Sequence, residues 1–553
     1  MTESRRVTPL DYRPSKVLFV GIPGVRIRAR ANQWRVEAAS IEQLQQLCVT
    51  SVGAAEVTSL EIRVAKWSPP KGWVGAPKSP GLVSYLVEPR GAGAQVILTW
   101  HEPIDIALAL AAALRCLRPI SEFGVGSMLT LAPGLPAAAA ALAAGTRDVL
   151  LPERAIHAHL RRCDTLVVPT PDSMSEVERA VTVVVSGETW IVNGAEHLVM
   201  VNPSVHNPIG RRSMGATEVI AASVAGGVLE LRGSTLKLEV AGDLRSSDVE
   251  ALRSVGVVSA EADLGPRWTN QLRACGLILK SGSAIDDSTK TLLADPLEAQ
   301  VLSVKARHDA LRGSTPAAAL GRWPSVSAVL LTNRETYLTH ALQQITKLDY
   351  PNLQVVVGLH GLELTSTRIA ELMDLARREL EFISITGNLS FGAAMQLVSQ
   401  RADGELITKM DDDDYYGSNH LWDLVLARMY SGAQVVGKAL DWIYLEGEDT
   451  TVFRPTYAAE KYSFFVAGGT ILVSRADLDG VGGWRPVSKS IDRALLERVK
   501  QAGGLIYRSH GLGYMYVRHL APHTASVASE HFLSKTERTW PGLLRHQIFG
   551  TAP

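Results

Sequence analysis

In "ELITKMDDDDYYG", residues 405–417, a short apolar run containing Leu406, Ile407 and Met410 is followed at once by four consecutive aspartates. An apolar run of that length, bounded by polar residues, reads as a buried strand. Two carboxylates held about 4 Å apart repel by roughly 4 kcal/mol at an effective dielectric near 20, so full solvation or a bound cation must offset the crowding. In extended backbone, side chains alternate between faces. Asp411 and Asp413 then point one way, and Asp412 and Asp414 the other.

The flanking sequence extends the pattern in both directions. "SVSAVLLT" (325–332) reads as a strand, and "ETYLTHALQQIT" (335–346) as a helix with Tyr337, Leu338, Ala341, Leu342 and Ile345 on one side. "PNLQVVVGL" (351–359) is a second strand, and "STRIAELMDLARREL" (366–380) a helix opening on a Ser/Thr cap. "EFISITG", the helical "SFGAAMQLVSQRA" and the strand "ELITKM" complete the series. Strand and helix repeating at this spacing predict a parallel sheet with crossover helices. Such sheets bind ligands at the carboxyl ends of their strands, where the aspartates stand. Two carboxylates converging there suit Mg²⁺ or Mn²⁺, which take oxygen ligands and complete their shells with water or phosphate. An acidic solvated turn is the competing reading of the same four residues.

Composition bounds the rest. The 553 residues predict two to four domains, and 46% hydrophobic with 20% charged residues is a globular balance. Lys plus Arg equals Asp plus Glu at 56 each, so no global field selects nucleic acid or an anionic membrane. Arg26, Arg28 and Arg30 alternate on a short strand, which reads as a solvated face. Cys48, Cys116, Cys163 and Cys275 are far apart, which argues against structural zinc and a disulfide scaffold and for a reducing, cytoplasmic setting. No signal peptide and no transmembrane segment is expected, so work on membrane-linked material would be peripheral, at the inner face.

A seam is expected over residues 306–324, where Gly, Ser, Pro and Ala interrupt the periodicity. It divides an N-terminal α/β region, 1–305, from a second unit, 325–545. Strands at "KVLFVGI" (16–22), "AQVILTW" (94–100), "DTLVVPT" (164–170), "TVVVSGETWIVNG" (182–194), "EVIAASVAG" and "TLKLEVAGD" alternate with Ala/Leu-rich helices, suggesting a Rossmann-like region with a lobe boundary near 150–165. The region holds no Walker loop and no G-x-G-x-x-G.

Residues 325 to 525, through "SVSAVLLTNRETYLTHALQQITKLDYPNLQVVV", "GNLSFGAAMQLVSQRADGELITKMDDDDYYGSNHLWDLV" and "AGGTILVSRADLDGVGGWRP", resemble a family 2 glycosyltransferase of the GT-A fold in order and spacing. The resemblance implies an α/β fold with a Rossmann-like, mostly parallel sheet, and an inverting, metal-dependent sugar transfer. Thr332, Asn333 and Arg334 match the family's T-x-N-R loop beside the nucleotide. Asp411-Asp412-Asp413 match its D-x-D signature, with Asp413 the direct ligand of Mn²⁺ or Mg²⁺ and Asp411 nearer the sugar or ribose. Gly468 and Gly469 match the acceptor-side glycines, and Asp492 of "SIDRALLERV" the catalytic base, although Ile491 stands where the family has Glu. Arg498 matches an Arg further along that helix. Arg518, His519 and His523 of "YMYVRHLAPHTAS" match a segment that holds diphosphate or metal. Leu359 and His360 replace the aspartates that contact the base of the nucleotide, which leaves uridine specificity open and makes His360 either a nucleotide contact or a structural residue. "VLLPERAIHAHLRRCDTLVVPTPDS" and "IVNGAEH" give the N-terminal region a degenerate resemblance to two-lobed GT-B transferases.

The expected partners are a UDP-, GDP- or dTDP-sugar donor, a glycan, lipid-linked or small-molecule acceptor, a second copy of the chain, and no nucleic acid. Cell-surface polysaccharide synthesis is the expected setting, with the N-terminal region serving acceptor recognition or dimerisation. The competing reading of Asp492 is a helix N-cap together with Ser490, a role that can coexist with that of base. Two rivals stand beside the enzyme reading. One is a non-catalytic nucleotide-sugar binder or assembly platform, motivated by the missing Glu and Asp. The other is a nucleotidyltransferase, for which "LLTNRETY" lacks the required glycine-rich loop.

Overall fold

The computed structural model describes residues 22–551 apart from 51–54, 70–81, 118–127, 131–147, 150–164, 169–180, 187–188, 193–194, 204, 212–217, 235, 283–286, 288–290, 292–293, 322, 377 and 520–528. The chain divides into two compact units, Met1–Arg322 and Trp323–Pro553. The α/β class holds in each.

In the first unit the described strands form three sheets. One orders Arg26–Arg30, Gln33–Ala38, Glu56–Val64, Gly93–Asp105 and Leu82–Arg90. Another orders Lys237–Ala241, Val228–Arg232, Glu218–Ala225, Val255–Ala260 and Ile278–Ser281. These sheets are mixed rather than purely parallel, because tight turns join neighbouring strands as hairpins. Gly226 and Gly227 both take positive φ, 58° and 77°, the backbone that a two-residue hairpin turn demands. The helix Ile106–Cys116 is capped by Asp105, whose carboxylate accepts from the Ala107 amide at 2.7 Å, and it buries nearly every side chain. Cys48, Cys116 and Cys275 are buried thiols, and burial raises Cys275 to about 11. Nearly all of the expected strand at 16–22, Cys163 and most of the stretch carrying the GT-B resemblance lie outside the described residues.

The expected linker, 306–324, is largely helical. Pro296–Gly313 is one helix, and Thr315 caps the next, Pro316–Leu320, with Pro316 at its first position. The Gly, Ser and Pro that break the periodicity are a helix stop and a helix start.

The second unit is built on an eight-stranded sheet ordered Leu380–Ile385, Leu353–His360, Val326–Thr332, Leu406–Met410, Leu472–Ser474, Val435–Lys438, Ile506–Ser509 and Lys461–Ser463. Its first four strands are parallel and stand in sequence order three, two, one, four. The order reverses between Val326–Thr332 and Leu406–Met410, and a crevice opens at the carboxyl ends of strands at such a reversal. Thr332 and Met410 end those two strands. Val329, Val356, Val398, Ile407 and Leu495 pack the sheet against its helices with essentially no exposure, each contributing about 1.5–3 kcal/mol. A second sheet orders Tyr415–Tyr416, Tyr514–Arg518, Trp442–Leu445, Thr450–Phe453 and Arg538–Pro541, and it brings residues 514–518 onto the aspartates. Among the described residues no helix is long and apolar enough to cross a membrane.

Candidate active site

The four aspartates follow the strand Leu406–Met410 as a bend: their burial alternates, but the expected split between two faces does not hold, since Asp412 and Asp413 share Arg334 Nη2. Asp412 and Asp414 are buried, at 4% and 1% exposure, while Asp411 and Asp413 are only partly covered. Each has a different means of offsetting its neighbours' charge.

Asp412 is held from the adjacent strand end. Thr332 Oγ1 donates to its carboxylate, and Arg334 reaches it with Nη2 and, at 3.2 Å, with Nε. The same Arg334 Nη2 donates to Asp413 Oδ2 at 2.8 Å. Arg334 also lies over the Tyr337 ring, 4.3 Å from its centroid. Burial opposes the charge on Arg334, but Asp412 and Asp413 outweigh it and hold the guanidinium protonated beyond its ordinary range. Burial raises Asp412 even against that fork. Asp414 depends on the second sheet: its Oδ1 accepts from the Val517 amide at 2.9 Å and its Oδ2 from the Tyr514 hydroxyl at 2.7 Å. Burial, then the charges of Asp413 and Asp411, push Asp414 well above the usual carboxylate value.

Asp411 shares a cation with Asp492. Lys409 Nζ lies 2.6 Å from Asp411 Oδ1 and 3.4 Å from Asp492 Oδ1, and the lysine side chain is only 3% exposed. Burial works against the ammonium, yet the two carboxylates raise it above its ordinary value. Asp492 is also raised: its removal from water and the charge of Asp411 outweigh Lys409, although its side chain keeps 30% exposure.

Asp492 lies in the first turn of the helix Ile491–Gln501, behind Ser490 at the N-cap in left-handed backbone, φ 58°. No side chain caps this helix through a hydrogen bond, so Asp492 is turned to Lys409 rather than to its own helix. Ile491, in the place of the resembled family's Glu, is buried in the core.

Gly468 and Gly469 close this space. A Cβ on Gly468 would stand 2.3 Å from Asp492 Oδ2, and one on Gly469 2.7 Å from Asp411 Oδ2. The Tyr416 hydroxyl donates to the Gly469 carbonyl at 3.0 Å and accepts from the Asp411 amide at 2.8 Å. His519 completes the group, with Nε2 3.6 Å from Asp413 Oδ2.

Thr332, Arg334, Asp411–Asp414, Gly468, Gly469, Asp492 and His519 are therefore neighbours. Asn333 is exposed beside them. Arg518 ends the strand next to His519 with its guanidinium 6.0 Å from the Phe532 ring. His360 meets the Leu389 carbonyl through Nε2 at 3.0 Å, and Leu359 is buried. Arg498 donates to the carbonyls of Gly482 and Gly483, supporting that turn. His523 lies outside the described residues. Sequence reasoning missed Lys409, Tyr416, Tyr514 and His340, whose Nε2 lies 3.0 Å from the Asp414 carbonyl. Lys409 alone had a sequence signal, as a lysine interrupting a strand that is otherwise buried.

Asp413 and His519 offer a divalent cation one carboxylate oxygen and one imidazole nitrogen. No group of three or more His, Cys, Asp or Glu among the described residues forms a complete cage. A two-donor half-site fits an ion that keeps water and takes phosphate oxygens for the rest of its shell.

No protein-family model and no curated protein matches the chain. Among solved structures the chain is similar to S. aureus TarS 1–349 in complex with UDP-GlcNAc, at 17% identity over 37% of this chain and 61% of that one, TM-score 0.30. It is similar to the mannosyltransferase PcManGT from Pyrobaculum calidifontis in complex with GDP-Man and Mn²⁺, at 16% identity over 36% of this chain and 59% of that one, TM-score 0.29. It is also similar to GalNAc-T7 with UDP, GalNAc and Mn²⁺, at 12% identity over 36% and 44%, TM-score 0.30. The chain thus spans about three fifths of the first two structures and less than half of the third.

Proposed function

We propose that the second unit is a glycosyltransferase that moves a sugar from a nucleotide diphosphosugar to an acceptor hydroxyl with inversion. One observation carries the reading. Asp411, just beyond a strand end at the strand-order reversal, and Asp492, from a helix about 80 residues later, are gathered around Lys409 and a glycine pair with no room for a Cβ, and Asp413 of the same run is held beside them by Arg334. Asp492 is the candidate base: its raised proton affinity moves it toward the range in which a carboxylate can accept a hydroxyl proton during attack. Lys409 keeps it oriented and shares its charge with Asp411. Arg334 and Thr332 hold Asp412, and through it the backbone that carries Asp413. Asp413 and His519 would hold Mn²⁺ or Mg²⁺, which when bound neutralises charge on the departing diphosphate. Gly468 and Gly469, lacking a Cβ, let the backbone of the proposed acceptor side approach Asp492 and Asp411 closely. The first unit then serves acceptor recognition or self-association, and cell-surface polysaccharide is the proposed product class, made at the cytoplasmic face.

Calorimetric titration of UDP, GDP and dTDP, with and without Mn²⁺, into the wild-type chain and Asp413→Ala tests the reading. Metal-dependent binding of one nucleotide, abolished in the variant, is expected. Binding of a nucleotide by a chain that, given the matching nucleotide-sugar, releases no nucleotide would favour a non-catalytic binder, and binding of none would refute both.

A further inference from the structure

Glu446 belongs to no motif used so far, and the register of the second sheet places it beside the candidate metal site. The strands Trp442–Leu445 and Tyr514–Arg518 run parallel with Leu445 opposite Arg518. The next residue of each, Glu446 and His519, therefore leaves the sheet side by side. Glu446 Oε2 lies 3.1 Å from His519 Nδ1. The Tyr337 ring packs against the imidazole, centroids 5.2 Å apart, and is itself covered by Arg334. With Nδ1 engaged by Glu446, His519 presents Nε2 to Asp413 Oδ2, 3.6 Å away, too far for a hydrogen bond but suited to an ion between them.

We propose that Glu446 is a positioning residue for the divalent cation: its carboxylate accepts Nδ1–H of His519 and so fixes the tautomer and ring direction that turn the Nε2 lone pair toward Asp413. This rests on the function proposed above. A neutral imidazole carries one donor nitrogen and one acceptor nitrogen, and the partner of the first decides which atom is left to ligate. A carboxylate in that place also makes the ligating nitrogen more basic, and loss of such a partner typically weakens metal binding about 10- to 100-fold. The Glu446 side chain is 43% exposed, so water competes with the hydrogen bond and the lower end of that range applies.

The test is a titration of Mn²⁺ alone into the full chain, free ion read by electron paramagnetic resonance, for the wild type, Asp413→Ala, Glu446→Ala, Glu446→Gln, His519→Ala and the Glu446→Ala/His519→Ala double variant. Glu446→Ala is expected to weaken Mn²⁺ about 10-fold. Glu446→Gln, whose carbonyl still accepts from Nδ1–H, is expected to recover most of that loss. The double variant is expected to match His519→Ala alone. An unchanged affinity in Glu446→Ala beside a weakened His519→Ala, or an equal further loss when Glu446→Ala is added to His519→Ala, would overturn the inference while leaving the proposed function standing. A wild type that holds Mn²⁺ no better than Asp413→Ala would overturn both.

Discussion

Gly468→Ala adds one methyl group where the backbone itself would accept it, because Gly468 does not occupy positive φ. The new Cβ would lie 2.3 Å from Asp492 Oδ2 and 2.8 Å from its Cγ, and ordinary contact begins near 3.4 Å. The carboxylate must therefore withdraw by the difference, about 1.1 Å. A misplacement of about 1 Å at a reacting group costs on the order of 10²-fold in rate, equivalent to about 2.7 kcal/mol of barrier. The fold should tolerate the change, since Asp492 keeps 30% exposure and has space to move outward. The assay is release of the nucleoside diphosphate from whichever donor sugar the titrations identify, under single-turnover conditions, with thermal melting alongside. Turnover should fall about 10²-fold with donor affinity nearly unchanged. Placed on Asp492→Ala, the same substitution should cost nothing further, because the group it displaces is gone. A wild-type rate in Gly468→Ala, or the same loss in the Asp492→Ala background, would refute the reasoning.

Two further substitutions address charges inside the second unit. Asp423→Ala strands the Lys438 ammonium, fully buried and paired at 2.5 Å, and is expected to cost about 3–5 kcal/mol in denaturant melts; replacing both residues by apolar ones should recover most of it, and a loss below about 1 kcal/mol would show that the pair is not held as described. Asp414→Asn concerns pH. Burial lifts the folded-state proton affinity of Asp414 above its ordinary value of 3.8, so the folded chain binds this proton more tightly than the unfolded one, and stability falls as pH rises from about 3.8 through the higher folded value. The asparagine variant has no charge to bury, so in metal-free melts between pH 4 and 8 it should lose less stability than the wild type. Equal slopes would contradict the assignment.

Much of the second unit was legible from local pattern. The strand and helix order from 325 to 410 follows from apolar periodicity, a property of consecutive residues, whereas the chain bends after Met410 and turns Asp412 and Asp413 to one arginine, against the expected alternation. The same reasoning missed the helices at 306–320, where residues that punctuate a chain serve as caps, and the hairpins of the first unit, whose pairing depends on turn geometry. It left His360 between two roles, and the structure places its ring on the Leu389 carbonyl. The partners that make four adjacent aspartates tenable were not legible at all. Asp414 is satisfied by Tyr514 and Val517, about 100 residues away, and Asp411 shares Lys409 with a carboxylate about 80 residues away. Glu446 meets His519 only because two strands end in register. By itself the sequence determined which residues end the strands of a parallel sheet, and therefore where carboxylates collect. Only the tertiary structure decided which of them are buried, paired or open to a cation, because desolvation and charge pairing depend on contacts between distant segments, and periodicity carries no record of those contacts.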